Sequence, residues 1–119
     1  MAAIIDVNAT VKALIDAIQK QAKQGWTQIS TLVTQQSKMM AQQAAWIAEG
    51  SIAGTLGDDL RGWFADQLAD SVRSLASDVA ARTILTVEKV WNAAVKILWG
   101  AINKALSAAT KGLLSLPEL

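Results

Sequence analysis

Apolar residues along the first half of the chain recur at steps of three and four. They run through Val11, Ile15, Ile18, Ala22, Trp26, Ile29, Val33, Ser37, Met40, Ala44 and Ile47, the spacing of one stripe on an α-helix. Val11, Ala22, Val33 and Ala44 repeat every eleven residues, as do Ile15, Trp26 and Ser37; that period favours a nearly straight packing seam over a left-handed heptad coil. Lys12, Asp16, Gln19, Lys20, Lys23, Gln24, Gln28, Gln35 and Lys38 occupy the other face. Asp6 or Asn8 is placed to cap the first free amides. The pattern predicts a first arm over about 9–49, some 60 Å long at about 1.5 Å per residue. A rod of that length cannot bury its stripe on itself, so the stripe predicts contact with neighbouring helices. Gly25 lies mid-pattern and, costing about 1 kcal/mol relative to Ala, marks a place for a kink.

Three glycines, Gly50, Gly54 and Gly57, fall within eight residues and are followed by Asp58 and Asp59, which suit a helix start. The strongest turn therefore lies over about 50–57. A second stripe continues through Leu60, Phe64, Leu68, Val72, Leu75 and Val79, and a third through Val87, Trp91, Ala94, Val95, Leu98, Ile102, Ala105, Leu106 and Ala109. The β-branched run at 83–87 is the weakest helical stretch, but a strand there would have no partner; the second arm is read as helix over about 58–112, straight or bent near 83–86. Asp78 and Arg82 are spaced to pair on its outer side. Gly112 and Pro117 end it and leave a short tail over 113–119. The expected fold is all-α: a single domain spanning 1–119, built as a long helical hairpin that assembles into a helical oligomer.

Composition sharpens the picture. Hydrophobic residues make up 52% of the chain and charged residues 18%, against roughly 25% charged in an average soluble domain, so part of the surface is expected to be covered by something other than water. The net charge of +1 disfavours nucleic acid as a partner, since phosphate binding calls for clustered cations. Residues 58–82 hold five Asp against three Arg, and the stretch from 83 to the end holds four Lys against two Glu. This division favours antiparallel or staggered contacts between copies. The start of the chain lacks the basic and apolar regions of a secretory signal.

Candidate chemistry is sparse. There is no His, Cys or Tyr, which removes the usual general base, the usual neutral-pH nucleophile and the commonest metal ligands. Asp66 and Asp70 lie four apart, the spacing to flank a divalent ion, but a solvated face near Arg73 accounts for them as well. No glycine-rich phosphate loop is present. No catalytic residue, metal site or cofactor is therefore assigned, and the chain is read as non-enzymatic.

The candidate functional residues are those of contact surfaces. The self-association seam comprises Val11, Ile15, Ile18, Trp26, Ile29, Val33, Met40, Ile47, Leu60, Phe64, Leu68, Val72, Leu75 and Val79, where each buried aliphatic side chain contributes about 1.5–3 kcal/mol. Among the five Trp, Trp91 and Trp99 stand in an apolar stretch with Lys89, Lys96 and Lys104. For these two, as for Trp26 and Trp63, packing between helices is the first expectation. The alternative is that a basic helix of this kind can lie in a bilayer interface, which makes Trp91, Lys96, Leu98, Trp99, Ile102 and Lys104 a candidate membrane surface. The Lys residues and Glu88 argue against a lipid-exposed span.

Residues 90–105, with Trp91-Asn92 and Trp99-Gly100-Ala101-Ile102, resemble the Trp-Asn and Trp-x-x-Ile runs of bacteriophage tail tape-measure and internal ejection proteins. The Gln- and Ala-rich first arm is similar to the long helices of the same virion proteins and of minor subunits of conjugative secretion systems, which normally carry an export signal. The resemblance implies a multicopy helical protein of a tail or capsid, partnered by copies of itself and by other assembly subunits, residing in the cytoplasm before assembly and in the virion afterwards. It carries no site residue. The alternative from the residues themselves is a membrane-active helical protein.

Overall fold

A computed structural model describes residues 5–110 and Leu116. The Asp6 side chain caps the first helix by accepting a hydrogen bond from the Ala9 amide at 3.0 Å, as the sequence predicts. Four helices follow: α1 (Val7–Ala22), α2 (Trp26–Ala53), α3 (Asp58–Arg82) and α4 (Val87–Thr110). No strand occurs among the described residues. The predicted end of the second arm at Gly112 lies outside them.

The expected single rod over 9–49 is broken at Lys23–Gly25, a short 3-10 turn. Lys23 adopts φ 53° and ψ −117°, and its amide donates to the Gln19 carbonyl, which ends α1 and reverses the chain. A rod would have left its apolar stripe wet. Reversal at this turn folds the stripe's two halves against each other, so Leu14, Ile18 and Ala22 of α1 and Ile29, Val33 and Met40 of α2 are all buried in one core.

The second arm is broken as well, because the β-branched residues at 83–86 satisfy backbone groups locally instead of continuing the helix. Thr83 takes an extended backbone, φ −139° and ψ −178°. Its hydroxyl donates to the Val79 carbonyl at 2.9 Å and accepts from the Leu85 amide at 3.1 Å. The Thr86 hydroxyl then accepts from the Lys89 amide at 3.2 Å, which starts α4. The two-armed hairpin thus gives way to four helices.

The turn between α2 and α3 falls where the glycines place it. Gly54 sits at φ 79°, the left-handed region that glycine enters without strain. Leu56 folds back over Gly50, its amide donating to the Gly50 carbonyl at 3.0 Å. Arg61 fastens the turn: its guanidinium donates to Asp58 at 2.8 Å and its Nε to the Ser51 hydroxyl at 3.0 Å.

Short connections make successive helices antiparallel neighbours, and the packing follows suit. α1 and α3 each pack against both α2 and α4, while α2 and α4 meet across the diagonal. The turn at Lys23–Gly25 lies beside that at 83–86: a Cβ placed on Gly25 would come within 3.1 Å of the Thr83 Cγ2. The α2–α3 turn is therefore at the opposite end of an up-down-up-down bundle measuring 43 × 28 × 19 Å.

This architecture changes what the seam residues do. Ile18, Ile29, Val33, Met40, Ile47, Leu68, Val72, Leu75 and Val79 are buried within one chain, and Val11, Ile15 and Trp26 are partly buried. They form a closed core, not a surface waiting for neighbours. Leu60 and Phe64 are the exceptions and remain exposed.

Candidate interaction surface

Leu60 and Phe64 belong to a group of large apolar side chains left on the outside near the α2–α3 turn. Met39 and Trp46 are seven residues apart on the outer face of α2, with 49% and 62% of their surfaces exposed. Leu60, Trp63 and Phe64 on α3 are 50%, 55% and 39% exposed. Trp63 and Phe64 meet edge to face, ring centroids 4.9 Å apart and planes at 85°, a favoured aromatic geometry. Trp46 lies seven residues before the end of α2 and Trp63 five after the start of α3, so the two indoles stand at the same level within about 3 Å along the bundle axis.

Helix lengths explain part of this exposure. α2 has 28 residues and α1 only 16, or about 42 Å against about 24 Å, so α1 cannot accompany α2 to the level of Trp46. On α3, Leu60 sits to one side of the buried stripe of Ala65, Leu68 and Val72, and Trp63 lies on the face nearly opposite it. Isolated apolar residues on a surface are ordinary, but two Trp, a Phe and a Leu on two helices toward one end of a small bundle, with Met39 further along α2, are the kind of exposure that marks a contact site.

Around these side chains the exposed charges are mostly acidic: Glu49, Asp58, Asp59 and Asp66. Two arginines on α3 are engaged, while Lys38 beside Met39 faces solvent. Arg61 pairs with Asp58 and Arg73 with Asp70 at 2.9 Å, and the Arg73 guanidinium also lies 5.1 Å from the centre of the Trp91 ring, a cation–π contact between α3 and α4. Asp70 is thus drawn to Arg73 on an exposed face, and no cluster of metal-ligating side chains occurs among the described residues. Asp78 and Arg82, spaced to pair, do not form an ion pair; among the described residues the ion pairs are the two named.

The opposite end has another character. An open cleft of about 970 Å³ lies between the end of α1 and the start of α4, with Lys20, Lys23 and Lys89 on its walls and Asp16 as the acid among them. Ile84 stands at its edge, 89% exposed, Val87 is exposed beside it, and Arg82 lines the adjoining hollow beside Lys23 and Gly25.

The residues expected to meet a membrane are divided between inside and outside. Leu98, Trp99 and Ile102 are buried, and Trp91 is partly covered beneath Arg73; Lys96 and Lys104 face solvent. The indole nitrogen of Trp99, the Ser37 hydroxyl and the Gln43 side-chain oxygen are buried without a hydrogen-bond partner among the described residues. No described helix is long and apolar enough to cross a membrane.

From the sequence, Met39 and Trp46 are not singled out and Trp63 is placed between helices, whereas the structure leaves it exposed. The signal was present: each falls off the periodic stripes, Trp46 between the buried Ala45 and Ile47, and Trp63 next to Phe64. A large apolar residue outside the stripe has nowhere to go but the surface. No family model matches the chain, and comparison with curated proteins and with solved structures likewise yields no match.

Proposed function

We propose that this chain is a non-enzymatic structural protein that self-associates as a subunit of a multicopy complex, and that it does so through the exposed aromatic group at the α2–α3 end. One observation supports the reading above all. The bundle closes its own core, yet leaves Trp46, Trp63, Phe64, Leu60 and Met39 in water, where covering them with another subunit releases apolar surface at about 25 cal/mol per Å². The buried stripes are relieved of the role that periodicity alone assigned them. A virion, as a phage tail or internal component, is the setting that the resemblance of residues 90–105 implies for such a subunit.

The membrane-active alternative draws less support from this arrangement. Trp99, Leu98 and Ile102 reach lipid only if the bundle opens, and the acids around the exposed aromatics oppose an anionic bilayer.

Sedimentation of the wild type and of Trp63→Gln/Phe64→Gln across a concentration series tests the proposal, with circular dichroism confirming that the variant keeps its helices. The expected result is association that grows with concentration in the wild type and is lost in the variant. A wild type that stays monomeric overturns the reading. A blue shift of Trp fluorescence with phosphatidylcholine or phosphatidylglycerol vesicles, abolished in the variant, would replace it with the membrane one.

A further inference from the structure

The two ends of the bundle differ in a complementary way. One carries exposed aromatic and aliphatic side chains among Glu49, Asp58 and Asp59; the other carries exposed Ile84 and Val87 beside a cleft walled by Lys20, Lys23 and Lys89. Each end thus offers apolar surface; around Trp63 the acids Glu49, Asp58, Asp59 and Asp66 outnumber Arg61, and at the cleft end Lys20, Lys23, Lys89 and Arg82 outnumber Asp16, Asp78 and Glu88, so the prevailing charge differs in sign between the two. Two aromatic ends brought face to face would instead bring Glu49 and Asp59 of one copy near the same acids of the other, a like-charge juxtaposition that works against pairing, while Asp58 is held by Arg61 of its own chain.

We infer that copies associate head to tail, the aromatic end around Trp63 of one molecule seating on the Lys-walled cleft end of the next. This deepens the proposed self-association by naming the surface that receives the aromatic group. A contact between two different patches leaves a free patch at each end of every dimer, so it propagates into a filament, or closes a ring where the rotation allows. Opposed charges steer the approach and fix which end meets which, while the apolar side chains supply most of the affinity.

Two variants expose this polarity. Trp63→Gln/Phe64→Gln disables the aromatic end, and Ile84→Gln/Lys89→Glu disables the cleft end; all four positions are exposed, so both proteins are expected to fold, which circular dichroism checks. In sedimentation velocity the wild type is expected to grow beyond dimers with concentration, and each variant alone to be monomeric. Mixed in equal amounts, the variants are expected to form a heterodimer and nothing larger, because each retains the end that the other lacks. Added salt should weaken that heterodimer several-fold, as its opposed charges are screened. A cleft-end variant that dimerises as well as the wild type shows aromatic ends pairing with each other and overturns the head-to-tail contact while leaving the aromatic contact surface intact. A mixture that stays monomeric overturns it too.

Discussion

Truncating Leu98 to alanine tests whether the periodic stripes are satisfied inside one chain. Leu98 lies on α4 and has none of its surface exposed, in the core shared by all four helices. The substitution removes three carbon groups' worth of burial, about 2.4 kcal/mol at about 0.8 kcal/mol each. The cavity left behind adds to this, and fully buried leucines in comparable cores lose about 2.7–5 kcal/mol. A loss of about 3–4 kcal/mol is expected, enough to lower the melting temperature by more than about 10 °C in a domain of this size. Urea denaturation followed by circular dichroism, at a low micromolar concentration and at a roughly twentyfold higher one, measures it. Association stabilises wild type and variant alike, so the difference between them should be the same at both concentrations. Lys96→Ala, two residues away and exposed, should change stability by less than about 0.5 kcal/mol. A Leu98→Ala loss below about 1 kcal/mol, or one that appears only at the higher concentration, would show that this position is covered by a neighbouring molecule and would refute the closed core.

Two further substitutions test the ends of the bundle. Arg61→Ala, which removes the bonds to Asp58, Ser51 and the Leu56 carbonyl, should cost about 1–2 kcal/mol in chemical denaturation; an unchanged midpoint would show that the α2–α3 turn holds without this clasp. Gly25→Ala should bring no gain in the wild type, since its Cβ meets the Thr83 Cγ2 at 3.1 Å. In a Thr83→Ser background that methyl is gone while the residue's own Cβ stays, 3.3 Å from the same point, so the same change should be less unfavourable there than in the wild type, by about 0.5 kcal/mol; equal effects in both backgrounds would separate the two turns.

How much of this was legible depended on the kind of signal. The stripe from Ile18 to Ile47 marks inward positions correctly because periodicity records which side chains avoid water. It does not record where their cover comes from. A turn that reverses α1 upon α2 buries the same residues as an intermolecular seam, and the sequence of a long straight helix differs from that of a folded one by only a few residues. Here those are Lys23, in a backbone conformation that its side chain does not advertise, and Gly25, whose closeness to Thr83 is a tertiary fact. The bend at 83–86 was more visible, since its Thr and Ile residues disfavour helix, although the hydroxyl bonds that complete it follow from the geometry. For Trp99 the sequence leaves two placements open, between helices and at a bilayer surface, and its burial favours the first. Flanking lysines give a helix a basic outer side without saying that its indole faces outward, and in the bundle Lys96 and Trp99 diverge.

The contact of Gly25 with Thr83 also bears on where the chain accepts added length. Bulk added at Gly25 itself would press on Thr83 and so on the other connection. Nothing lies within 4 Å of a Cβ built on Gly57, so a graft just after Leu56, which is itself held to Gly50 and Arg61, would meet open space. Of the three connections between helices, the one between α2 and α3 is thus where added length disturbs its surroundings least.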